Sequence, residues 1–182
     1  MALLLLVIAI QALASARVLA VEQAPHPDAP ALDDLLSGLD AQCSASPSLE
    51  AFRSALRDVD GDRYPLTPEA AKSQLDAPLR SAIGAIRILE ETADYQLIQV
   101  DVVGTWRGVP VEGLVFWLGK SNGILSLVVI FSPPHGPALD AFETRISASA
   151  KRMAEDPENL NAASTGIQVE AERVQVWCDW SN

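Results

Sequence analysis

Between Ile86 and Phe131 the chain is densely hydrophobic, rich in β-formers and punctuated by turns, a combination found nowhere else along it. Four strands are predicted there: Ala85–Glu90, Tyr95–Gly104, Val109–Leu118 and Ile124–Phe131. The joints are Glu91-Thr92-Ala93-Asp94, Trp106-Arg107-Gly108 and Lys120-Ser121-Asn122-Gly123. Asn-Gly is the strongest short hairpin signal, because both residues tolerate the positive φ of a type I′ turn. Strands this close in sequence pair antiparallel, as a meander.

Side-chain parity within the run sets an expectation about its two faces. Ile98, Val100 and Val102 share one face, with Leu97, Gln99 and Asp101 on the other. Leu114–Leu118 and Ile124–Phe131 are apolar at nearly every position, so cover is expected on both sides. The N-terminal helices would take one face and a later helix the other. A face left uncovered would be an apolar patch, and so an interaction site.

Around this run the periodicity is helical. Leu32, Leu35, Leu36 and Leu39 form a stripe from about Ala31, and Ser48 can cap a second helix that buries Leu49, Phe52, Ala55 and Leu56. Thr67 and Pro68 suit the start of a third. Leu79–Leu89 reads as a helical turn passing into strand from about Ala85. After Ser132-Pro133-Pro134-His135-Gly136-Pro137 a long helix is predicted to about Ala154, burying Leu139, Phe142, Ile146, Ala150 and Met153. From Gly166 to about Trp180 the alternation changes parity: Ile167, Val169 and Ala171 are odd, whereas Val174, Val176, Cys178 and Trp180 are even. A β-bulge near Glu172-Arg173 would account for the slip. The expected class is α+β: three short N-terminal helices, a four-stranded antiparallel meander, one long helix packed on the sheet and a final bulged strand.

Residues 1–20 read as a signal peptide, with an apolar run from Leu3 to Leu13, small residues after it and cleavage after Ala20. An uncleaved anchor is the competing reading. Residues 21–30 carry three prolines and read as a flexible linker, leaving residues 31–182 as a single domain. The expected location is periplasmic or secreted, with no membrane insertion after cleavage. The formal net charge is −11, or about −12 once Arg17 is lost with the leader. That charge argues against nucleic acid and anionic membranes, and suits a basic protein partner. Cys43 and Cys178 are the only two cysteines, and in an oxidising compartment they are predicted to pair.

Catalytic equipment is sparse. His26 lies in the linker and His135 in a proline-flanked turn, and no nucleophile–base–orienter arrangement can be read. In Asp58–Glu69 (DVDGDRYPLTPE), Asp58, Asp60, Asp62 and Glu69 match EF-hand ligand spacing at loop positions 1, 3, 5 and 12. Arg63 stands where the loop needs glycine and Pro65 removes a donor, so a solvated acidic loop is favoured. No cofactor is expected, with calcium the alternative. Trp106, Arg107, Trp177 and Trp180 are the candidate partner-binding residues, since exposed Trp and Arg are typical interface anchors. The function expected is a non-catalytic envelope protein that binds and occludes a protein partner, as inhibitor and immunity proteins do. A small-ligand or calcium-binding periplasmic protein, or a structural envelope protein, are the alternatives.

Overall fold

The computed structural model describes residues 29–56, 68–159, 163–170 and 172–181. The leader, most of the linker, and Asp58, Asp60 and Asp62 of the acidic loop lie outside these residues. The described elements are α1 (Asp33–Leu36), α2 (Leu39–Gln42), α3 (Pro47–Leu56), α4 (Pro68–Ser73), α5 (Ala77–Ala82), β1 (Ile83–Glu91), β2 (Tyr95–Trp106), β3 (Val109–Gly119), β4 (Leu125–Phe131), α6 (His135–Glu155), β5 (Ser164–Glu170) and β6 (Arg173–Asp179). The class is α+β, built on a six-stranded sheet in the order β1-β2-β3-β4-β6-β5 with every neighbouring pair antiparallel.

Among the described residues, five short helices stand where three were expected. The leucine stripe is divided at Gly38, whose φ of +87° ends α1 and restarts the chain as α2. Helix α3 is capped by Ser46 rather than Ser48: its Oγ accepts from the Leu49 amide at 3.0 Å and donates to the Leu35 carbonyl at 2.7 Å. Pro47, which has no amide to satisfy, fills the first helical position, so the cap falls one residue before it. Ser46→Ala removes a cap and a buried donor together. It is expected to lower stability by about 1–2 kcal/mol, read as a shift in the urea midpoint.

The meander forms as expected and the final strand does not. Glu170 pairs with Arg173, so the parity change at Glu172 is a hairpin reversal and not a bulge. Glu172 has a φ of +62° without the Gly or Asn that usually announces such a turn. The type I′ geometry lies at Arg107-Gly108, where both φ values are positive (+51° and +77°) and Trp106 pairs with Val109. At Asn122-Gly123 only the glycine has positive φ. Asn122 instead accepts the Ile124 amide on its Oδ1, within a longer loop between β3 and β4. Lys120 in that loop donates to Glu91 at 3.0 Å, holding its carboxyl below the ordinary glutamate value.

The core lies on one side of the sheet. Ile98, Val100, Val102, Leu114, Phe116, Leu127, Val129, Val174 and Val176 turn inward under the helices. Phe142 of α6 meets Trp106 and Phe131 at ring-centroid distances of 4.4 and 4.9 Å, and Phe52 of α3 meets Phe116 at 6.2 Å. Helices α2 and α6 are clasped at one carbonyl, that of Ala41, which accepts from Ser149 Oγ at 2.6 Å and Arg152 Nη2 at 2.7 Å. Cys43, which ends α2, and Cys178 of β6 form a disulfide across a separation of 135 residues. The N-terminal helices and α6 therefore share a face instead of dividing the two between them.

Candidate functional site

Among the described residues, no helix packs on the other face of the sheet, although Val115 at its centre is buried. Cross-strand pairing sets Leu97 beside Trp117, Val115 beside Val128, Val128 beside Trp177, and Trp177 beside Gly166. Ile130 lies two residues along from Val128 on the same face. Leu97, Trp117, Val128, Ile130 and Trp177 are half-buried, and none of them belongs to the core or packs against it. Among the described residues, then, the middle of this face is an apolar band spanning several strands.

Its margin is polar. Arg87 forks onto Asp101 through two hydrogen bonds, one of 2.7 Å, and Gln99 donates to the same carboxylate at 3.3 Å. On the far strands Gln168 donates to Gln175 at 3.2 Å. An apolar centre inside a hydrogen-bonded rim is the anatomy of a protein interface. The Trp177 ring is held flat by a missing side chain: a Cβ on Gly166 would meet it at 2.5 Å. Any residue but glycine there would lift the indole off the sheet.

The four residues predicted to bind a partner are separated by the fold. Trp106 corrects the expectation of exposure, since it is 1 % exposed and stacked against Phe131 at 6.0 Å. It ends β2 on the inward parity of Ile98, Val100 and Val102, and so belongs to the core. Trp180 is half-buried over the staple. Its Nε1 donates to the Cys43 carbonyl at 2.6 Å, and the Arg53 guanidinium lies 5.8 Å above its ring. Arg107 is exposed at the β2–β3 turn but bends back, its Nε donating to Asp40 at 2.7 Å. Trp177 alone lies on the open face. Trp117 is the residue that sequence reasoning missed, although its parity with Val115 could have found it.

Of the calcium candidates only Glu69 lies within the described residues, exposed in the first turn of α4. Among the described residues no group of three His, Cys, Asp or Glu side chains converges as a metal site, and no helix is long and apolar enough to cross a membrane. His135 is bonded to the Glu172 carbonyl, joining the start of α6 to the β5–β6 turn. No family model matches the chain, and comparison with curated proteins and with solved structures finds no match either.

Proposed function

We propose that the chain is an exported, non-catalytic protein that binds a basic protein partner and occludes it, using the open face of the sheet. The observation that carries this reading is the apolar band of Leu97, Trp117, Val128, Ile130 and Trp177, which stands clear of the core inside a polar rim. Six strands about 4.8 Å apart, seven or more residues long, give a face of roughly 650 Å². That approaches the ~800 Å² which each partner contributes to a standard interface. Built on a hydrogen-bonded sheet and centred on tryptophan, such a face binds another surface by covering it. The net charge of −11 supplies the steering, and the disulfide suits an oxidising compartment.

The test uses the oxidised protein as bait in exported fractions. The wild type is expected to retain one stoichiometric, basic protein, and Trp117→Ala/Trp177→Ala is expected to lose it while keeping its unfolding free energy within about 1–2 kcal/mol. The association rate should fall about tenfold or more between low and high salt, with dissociation changing far less. A partner held equally well by the double variant, or an association rate indifferent to salt, overturns the reading. A bait whose face instead closes on itself, as a dimer that the same substitutions dissolve, overturns it too.

A further inference from the structure

On the helical side of the molecule, opposite the open face, three arginines of this acidic chain converge. Arg107 comes from the β2–β3 turn, and Arg145 and Arg152 come from one face of α6, two turns apart. With Thr144, Ala148 and Asp40 of α2 they line a cleft of about 320 Å³. A chain with 13 basic against 24 acidic side chains thus gathers three guanidiniums around one carboxylate. The lining side chains sum to +2 where the whole protein is −11, with the Asp33 carboxylate close by on the Arg107 amide at 3.2 Å.

Folding accounts for Arg107 and Arg152, which hold Asp40 and the Ala41 carbonyl, but not for Arg145. Asp40 has a side chain only 3 % exposed and is satisfied by Arg107 Nε at 2.7 Å. Arg145 comes no nearer to it than 3.9 Å, with its side chain 56 % exposed and no hydrogen bond to any described residue. Arg152 uses one nitrogen on the Ala41 carbonyl. Both terminal nitrogens of Arg107 and the whole Arg145 fork therefore remain as donors over the cleft. Like charges brought together cost energy unless an anion joins them. Two of the three side chains are anchored at one nitrogen each, so much of the ordering that ligand capture requires is already in place.

We propose that this cleft is a binding site for a small oxyanion of two or more negative charges, phosphoryl or dicarboxylate in chemistry, gripped by Arg107, Arg145 and Arg152. Guanidinium forks match the paired oxygens of both groups. The volume lies at the lower end of the ~300–1,000 Å³ range of small-molecule pockets, which suits a compact ligand. Asp40 forms the floor. It fixes Arg107 from beneath, and the three guanidiniums around it outweigh its charge. The site is separate from the sheet face, so the two readings stand or fall independently.

Calorimetric titration of the oxidised protein at constant ionic strength tests it, with pyrophosphate and malonate as the two probes and sodium chloride as the control. Saturable binding with Kd at or below about 1 mM is expected for at least one probe. Arg145→Ala should weaken it about tenfold or more, and Arg145→Lys, which keeps the charge without the fork, should fall between. Arg145 is the residue to change because it makes no described hydrogen bond, and an unchanged urea midpoint will show that the variant folds. Pyrophosphate alone saturating names a phosphoryl ligand, and malonate alone names a dicarboxylate. No saturation by either probe up to about 10 mM, or affinity that ignores Arg145→Ala, overturns the proposal.

Discussion

Reducing the Cys43–Cys178 bond is expected to lower the unfolding free energy by about 4–5 kcal/mol. The bond closes a loop across 135 residues, and cutting it returns that closure entropy to the unfolded chain. On the native side little else need change. Trp180 still donates to the Cys43 carbonyl, and β6 keeps its ladder to β4. The loss should therefore arise in the unfolded state, leaving the folded spectrum intact at low urea. Paired urea titrations with and without reductant, followed by tryptophan fluorescence, would measure it, and Cys43→Ala/Cys178→Ala should reproduce it without reductant. For a domain of this size the melting temperature should drop by roughly 10–20 °C. A loss under about 1 kcal/mol would mean that the reduced, unfolded chain already keeps α2 near β6.

Phe142→Ala should cost nearly as much, about 3–5 kcal/mol. Phe142 is fully buried and is the ring by which α6 grips both Trp106 and Phe131. Removing it leaves a cavity between a helix and two strands held in a six-stranded sheet, which cannot collapse to fill the space. Phe142→Leu, which keeps most of the volume, should cost about 1–1.5 kcal/mol. The contrast with Trp177→Ala is the sharper check. Truncating a larger ring on the open face should cost less than truncating Phe142, because one residue supports the core and the other faces solvent. Equal losses would show that the sheet's second face is energetically part of the core.

The meander was legible because its residues agree with one another. Tyr95 to Leu118 combines β propensity with turn residues at each joint, and its first strand adds period-two alternation. The end of the chain was half legible: odd-to-even slippage at Glu172 was visible in Val169 and Val174, but a bulge and a two-residue reversal shift parity alike, and Ala171-Glu172 lacks turn chemistry. Trp106 carried the signal that places it inside, the even parity of Val100 and Val102, and exposure was inferred instead from its neighbouring turn. Cover of the sheet was not legible at all. Which face a helix takes is decided by contacts such as Ser149 to Ala41, more than a hundred residues apart, and no local pattern records them. The arginine cleft has the same cause. The seven-residue spacing of Arg145 and Arg152 marks one face of α6, but only the fold brings Arg107 and Asp40 to it.

The strand order carries a consequence for how the molecule is made. Strand β4, Leu-Ser-Leu-Val-Val-Ile-Phe, is flanked in the finished sheet by β3 and β6, and β6 follows every other strand in the chain. As the chain emerges from its N-terminal end, β4 must wait through all of α6 and β5 with one edge unsatisfied, a template for any other nascent copy. Cys178 arrives on the strand that closes this gap, so native pairing with Cys43 awaits that strand. Oxidation thus works as a seal on completed assembly: a chain whose β4 edge is still open cannot yet have formed the native bond.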